Sequence, residues 1–315
     1  MLVTGGAGFI GSNLIQRLVR QNTNLRATVH KKPLQVRSPE VEYVEADLTN
    51  PGDCRKALEG IDYVFMCAAN TSGAGMIASD PTIHVTPNVI MNSLMLEAAH
   101  KEGVKKFIWI SSSVVYSPSG DHPVKEDEFL AEDPYDSYFA SGWMKRYTEV
   151  LCHLYSEKLK VRMPTVVLRP SNLYGPFDKF ESQTSHVTAA LVKKVVERQD
   201  PIVVWGDGKD VRDLLYIDDF IDAMCLAAEK IDHFDPINVA SGEGHSVDEV
   251  LHTLLEIEGY TNAKVAFDRT KPSMIPVRLI DPTKAMSTLG FRAKTSLREG
   301  LEKTVEWYKV SRERL

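Results

Sequence analysis

A glycine-spaced turn at the start of the chain, Thr4-Gly5-Gly6-Ala7-Gly8-Phe9-Ile10-Gly11, constrains the fold more than anything that follows it. A short apolar run, Met1-Leu2-Val3, enters the turn, and the rhythm Ile10, Leu14, Ile15, Leu18 leaves it. That reads as strand, tight turn, helix. In such a unit the first glycine makes the turn and the second lets backbone N–H groups approach a diphosphate. The third lets helix and strand pack closely, and the helix presents its positive end to the anion. A dinucleotide is therefore the expected ligand, with Gly5, Gly8, Phe9, Ile10 and Gly11 around it. Taken alone, the triplet fits a purely structural turn equally well; the strand–helix alternation beyond it favours the dinucleotide.

Apolar runs predict strands at 25–30, 41–46, 63–67, 107–110 and 165–168. Helices are predicted at 51–59, 88–101 and 138–158. Strands without polar alternation suit a parallel sheet covered on both faces. The fold class expected is thus α/β, a doubly wound parallel sheet with a smaller mixed α/β C-terminal lobe. From about Leu173 the alternation breaks down into a helix at 187–198, a strand at 202–205, a polar cluster at Arg212-Asp213 and a strand at 237–239. The division expected is 1–172 for the sheet domain, returning around 209–240, and 173–315 for an interleaved second lobe. Chemistry should collect at the carboxyl ends of the strands, where Ala68-Ala69 and Ser111-Ser112-Ser113 fall. The stretch 117–136, rich in Pro, Asp and Glu, reads as a surface loop able to act as a lid.

The second strand ends in His30-Lys31-Lys32. An NAD site places Asp or Glu there for the ribose hydroxyls, whereas a 2′-phosphate asks for cations. NADP(H) is therefore expected with His30 and Lys31 as ligands, NAD(H) being the runner-up; a solvated loop is the alternative for these residues. A formal net charge of -6 argues against nucleic acid or an anionic membrane as the main partner. Cys54, Cys67, Cys152 and Cys225 are scattered without metal spacing and read as reduced thiols, so a cytoplasmic location is expected and no metal site. No apolar run is long enough to span a bilayer. Because the chain begins almost inside its first strand, a few native residues are expected to precede it.

The glycine turn, Asp47-Leu48-Thr49, Asn88, Ser112 with Tyr116, Arg169-Pro170-Ser171-Asn172-Leu173-Tyr174-Gly175-Pro176 and Arg212-Asp213 with Asp218-Asp219 together resemble an extended short-chain dehydrogenase/reductase acting on nucleotide sugars. The resemblance covers nearly the whole chain. Thr184-Ser185-His186-Val187, Ile202-Val203-Val204-Trp205-Gly206 and Phe267-Asp268-Arg269-Thr270-Lys271-Pro272, with Pro276 and Arg278, are similar to the GDP-L-fucose synthase branch. This resemblance implies cofactor contacts from Asp47, Leu48, Ala68, Ala69, Asn88, Lys145, Pro170 and Asn172. It implies substrate contacts from Ser113, Asn172, His186, Val187, Trp205, Arg212 and Arg278. Ordinary alternatives stand beside several of these: a helix-start role for His186, core packing for Trp205, a surface ion pair for Arg278 and helix capping for Asp218-Asp219. A homodimer through the helices at 88–101 and 138–158 is expected by the same resemblance.

The family chemistry uses a serine after the fifth strand, and a tyrosine with a lysine one helical turn later. The lysine charge lowers the phenol pKa so that it can exchange a proton with the sugar oxygen. Ser112 and Lys145 match the serine and lysine, but the tyrosine position is Ser141. Tyr138 is a poor substitute, lying about 10 Å farther along a helix axis at about 1.5 Å per residue. A second departure is Val114, where the resemblance implies a cysteine acting as epimerisation base; His186 stands where the partner acid belongs. The reading is an NADPH-dependent 4-keto reductase of a GDP-4-keto-6-deoxy sugar, in deoxysugar biosynthesis, without cysteine-dependent C3/C5 epimerisation and impaired by Ser141. An NAD-dependent nucleotide-sugar 4-epimerase and a catalytically inactive dinucleotide-binding protein are the alternatives.

Overall fold

In the computed structural model the chain is described over residues 1–21, 23–71, 80, 82–181, 185–271 and 275–312. Thr184 and Pro272, quoted above for the resemblance, lie outside these residues. The first strand is short, β1 (Leu2–Val3), and its two side chains go to opposite faces. The same alternation runs through the strands beside it, β4 (Tyr63–Met66), β5 (Lys106–Ile110) and β6 (Thr165–Pro170). Val3, Phe65, Ile108, Val166 and Leu168 face one core. Leu2, Val64, Met66, Phe107, Trp109 and Val167 face the other. Both sets are apolar, which is why these strands look uniformly hydrophobic in sequence. Each core is completed by helices: α1 (Phe9–Val19) on the first face, α2 (Pro51–Leu58) and α3 (Val85–Lys101) on the second.

With β2 (Leu25–Val29), β3 (Val41–Glu45) and β10 (Asp235–Val239), these strands form a seven-stranded parallel sheet. Its order is β10-β6-β5-β4-β1-β2-β3. The order reverses between β1 and β4, so the crevice at the carboxyl ends of these two strands is the topological switch point where ligands bind in such sheets. The far edge is β10 (Asp235–Val239), paired with β6 in parallel. This doubly wound sheet with a mixed C-terminal part is the fold class expected. A long helix, α4 (Phe139–His153), continues through a wider turn at Leu154–Lys158.

The C-terminal region holds α5 (Val187–Val196), β8 (Ile202–Trp205), β9 (Val211–Tyr216), α6 (Ile217–Lys230), β11 (Gly244–Ser246) and α7 (Val247–Ile257). It continues with β12 (Val265–Asp268), β13 (Val277–Arg278), α8 (Thr283–Leu289) and α9 (Leu297–Arg312). Strand β9 pairs with β11, β13 and the short β7 (Asn172–Tyr174), so the polar Arg212-Asp213 cluster lies within a strand. Asp213 is tolerated there because its carboxylate accepts from Ser241 N, Ser241 Oγ and Gly242 N. The lid expectation for 117–136 is corrected. Arg169 Nη1 donates to Glu126 O, Asn238 N donates to Glu126 Oε1 and Asn238 Nδ2 donates to Val124 O, so the segment is pinned to the sheet. Among the described residues no helix is long and apolar enough to cross a membrane, and the four cysteines are unbridged.

Candidate active site

The glycine turn is fixed by backbone contacts. Gly8 N donates to Gly5 O at 2.8 Å, and Gly6 N donates to Thr28 O at 2.8 Å. Gly5 adopts φ +66° with Ala68 against it, so both a Cβ and the left-handed backbone would be resisted there. At Gly11 a Cβ would lie 2.3 Å from Gly5 O. The turn therefore folds tightly onto the first turn of α1. Gly8 caps that helix without any side-chain cap bond, and its first turn carries no acid. The leading N–H groups of Phe9, Ile10 and Gly11 have no intrahelical acceptor by geometry, and they sit at the positive end of the helix. This cradle fits the diphosphate of a dinucleotide.

Around it lie the other residues expected at the cofactor. Ala68 N donates to Thr4 Oγ1 at 3.0 Å, which holds the Ala68-Ala69 end of β4 next to the turn. Asn88 is buried and ties down the following loop, accepting from Asn70 N at 2.8 Å and donating to Asn70 O at 2.9 Å. Asp47 accepts from Thr49 N and Thr49 Oγ1, bonds that hold its carboxyl below the usual range, and His30 Nε2 lies 3.9 Å from its other oxygen. Leu48 beside it is core. Lys31 and Lys32 are exposed at the end of β2. Pro170 ends β6 and Asn172 opens β7 on the same edge of the sheet.

The residues expected to do chemistry come from β5 and α4. Ser112 caps a short turn, Ser113–Val115, accepting from Val114 N; Ser113 is buried. Lys145 Nζ donates to Ile110 O at 3.2 Å and lies 5.0 Å from the centre of the Trp109 ring. Burial pushes its ammonium down to about 8, opposed by the nearby Glu149 carboxylate. One turn earlier on the same helix, Ser141 Oγ donates to Tyr138 O at 3.2 Å. Tyr138 stands at the N-cap of α4, and burial pushes its phenol up, the Arg212 charge acting in the opposite direction. That is the wrong direction for a proton donor near neutral pH. Lys145 and Ser112 are thus brought to one strand end with no acidified phenol in the position between them.

On the C-terminal side, His186 is the exposed N-cap of α5, and Val187 follows it at the surface. Arg212 Nη2 pairs with Asp210 at 3.2 Å and lies beside Val187, Thr188 and Leu191. Trp205 is 48% exposed on β8 with the Lys271 ammonium over its ring, so core packing is corrected: alternation on β8 buries Ile202 and Val204 instead. Arg278 is 1% exposed; its guanidinium donates to Ser117 O and Tyr116 O, which corrects the surface ion pair and ties its fork to backbone carbonyls. Asp218 and Asp219 lie within the first turn of α6, after the N-cap Tyr216, and Asp219 accepts from Thr295 N. Sequence reasoning passed over Asp178, a buried carboxyl facing His186, and Lys179 beside it. Both follow the Gly175-Pro176 turn that it singled out.

Residues 1–240 match the NAD dependent epimerase/dehydratase family. The chain belongs to this family. Membership makes it an NAD(P)-dependent short-chain dehydrogenase/reductase, the class the motifs resemble. GDP-L-fucose synthase 1 of Arabidopsis thaliana is 28% identical over 98% of this chain and 92% of its own length. GDP-mannose 3,5-epimerase 1 of Oryza sativa subsp. japonica is 30% identical over 98% of this chain and 81% of its own. Among solved structures, UDP-glucuronic acid 4-epimerase from Bacillus cereus, in complex with UDP-glucuronic acid and NAD, superposes with a TM-score of 0.85 at 30% identity, covering 98% of this chain and 99% of that one. The family's dinucleotide is the ligand that the bare, positive helix end of α1 accommodates.

Proposed function

We propose that this chain binds NADP(H) on the glycine turn and a GDP-linked 4-keto-6-deoxy sugar at the carboxyl edge of the sheet, as a 4-keto reductase whose proton step is weak. The observation that carries this reading is Lys145, half-buried beside the end of β5 and one helical turn from a serine instead of a tyrosine. The nicotinamide, when bound, supplies the hydride. Lys145 would hold the nicotinamide ribose, and Ser112 would hydrogen-bond the sugar oxygen. Ser141 cannot take the phenol's part: its hydroxyl is shorter, far less acidic and turned to Tyr138 O. Val114 moves no proton, so C3/C5 epimerisation by a base at that position is absent from the proposal.

His30, Lys31 and Lys32, with no acid at the end of β2, support NADP(H). GDP is supported by the two plant relatives, both named for GDP sugars. His186, Val187, Trp205 and Arg212 are the substrate side of the proposal. A homodimer through α3 and α4 is supported by Trp143, Tyr147, Val150 and Leu154, a helical stripe of exposed apolar side chains, with Ile90 on α3.

Isothermal titration with NADPH and NADH, then with GDP and UDP in the presence of the better cofactor, tests the reading. Tighter binding of NADPH and GDP is expected. Preference for NADH and UDP would move the assignment to an NAD-dependent 4-epimerase, the reading favoured by the likeness to the B. cereus enzyme.

A further inference from the structure

The segment after β7 runs Gly175-Pro176-Phe177-Asp178-Lys179. Asn13 Nδ2, on α1, donates to Phe9 O and to Pro176 O, both at 2.9 Å, which lays this segment against the first turn of α1. Three residues on, Lys179 Nζ donates to Thr71 O and, at 2.8 Å, to Thr71 Oγ1, on the loop that follows β4. A segment joined to the start of α1 at one end and to the β4 loop at the other crosses the crevice between β1 and β4. That crevice is the switch point of the sheet.

An ammonium has three N–H donors. Two go to Thr71, and among the described residues no acceptor takes the third. Charges of both signs lie around it. Lys32, just after β2, opposes its charge, Asp178 and Glu181 on its own segment favour it, and His84 at the N-cap of α3 feels it. Burial, then Lys32, push the Lys179 ammonium down to about 8. His84 is buried, its ring is pushed toward the neutral form, and its Nε2 has no hydrogen-bond partner. A lysine already anchored by Thr71, with a third N–H that no described residue takes and lying beside a diphosphate cradle, suits an anion.

We propose that Lys179 is a phosphate ligand of the dinucleotide, clamping its diphosphate from the side opposite the N-terminus of α1. The inference rests on the dinucleotide reading of the glycine turn and adds a ligand from the segment after β7. Because Thr71 already fixes the side chain, little rotamer freedom is lost on binding. The site is shared by NADH and NADPH, since both carry the diphosphate.

The test is isothermal titration of the full chain with NADH and with NADPH at pH 8.5, in two buffers of different ionisation enthalpy, for the wild type, Lys179→Met and Lys179→Arg. Lys179→Met should weaken both dinucleotides about tenfold, the order expected for one charge-assisted hydrogen bond. Lys179→Arg should recover most of that loss. Binding to the wild type should take up a proton, seen as a buffer-dependent enthalpy that Lys179→Met removes. Unchanged affinity in Lys179→Met overturns the proposal. Loss for NADPH alone also overturns it, by assigning Lys179 to the 2′-phosphate. Equal losses in both variants with a lowered thermal midpoint show a structural role and overturn it too. Failure of the wild type to bind either dinucleotide would instead bring down the reading of the glycine turn itself.

Discussion

Glu149 and Arg169 face each other in the interior, with Arg169 Nη2 2.5 Å from Glu149 Oε2 and Nε 3.0 Å from Oε1. Glu149 also accepts from Ser111 Oγ at 2.6 Å, and Arg169 Nη1 donates to Tyr116 Oη at 2.9 Å. The pair therefore ties α4, which carries Ser141 and Lys145, to the carboxyl ends of β5 and β6. Removing one partner leaves a buried, uncompensated charge, a change that costs about 3–5 kcal/mol in such settings. Glu149→Gln should lose stability on that scale by urea unfolding. A loss below about 1 kcal/mol would show that the neighbouring groups can neutralise Arg169 without Glu149.

Restoring the phenol tests the reading of α4 directly. Ser141→Tyr should raise NADPH-dependent turnover of a GDP-4-keto-6-deoxy sugar at least a hundredfold, within the ~10²–10⁴ range of a positioned acid–base group. Val114→Cys alone should add no reductase activity, since a thiol there would serve epimerisation only. No gain from Ser141→Tyr means that the site register on α4 is wrong, or that the chain acts as a binding protein.

The sheet domain was legible because both faces of its central strands are apolar, so β4 to β6 stand out as runs between helical patterns. β7 and β9 were not, because Asn172, Arg212 and Asp213 interrupt the apolar signal, and only the fold shows that the Ser241-Gly242 turn satisfies Asp213. The glycine turn and the Lys145–Ser141 spacing were readable because each is a local pattern. Arg278 was not, since an arginine beside a strand gives no hint that carbonyls of Tyr116 and Ser117, far away in sequence, will surround it. Lys179 was missed for the same reason: its meaning comes from Thr71 and Lys32.

Two glycines separate close packing from backbone freedom. Gly11→Ala places a Cβ 2.3 Å from Gly5 O, so the turn must open. Stability should fall by about 1–3 kcal/mol, the range for overpacking, and dinucleotide affinity more than tenfold in titration. Gly60→Ala meets nothing within 4 Å but sits at φ +71°. It should cost about 1–2 kcal/mol from backbone strain alone and leave dinucleotide affinity as in the wild type. Equal binding by both variants would separate the glycine turn from the cofactor.

Lys145 also makes stability depend on pH in a way that a titration of unfolding can read. Its proton leaves near pH 8 in the folded chain, against an ordinary value of 10.5 when unfolded. Between those values the unfolded chain holds more protons, so this group's contribution to stability rises with pH. Below about pH 8 the folded chain bears the full penalty of keeping a half-buried ammonium charged; above 10.5 the penalty is gone. Lys145→Met removes it at every pH. The variant's thermal midpoint should therefore exceed the wild type's by more at pH 7 than at pH 10, with the change concentrated above pH 8. Other titrating groups cancel in the difference between the two proteins, so a gap that stays constant over this window would show that Lys145 is as well solvated folded as unfolded.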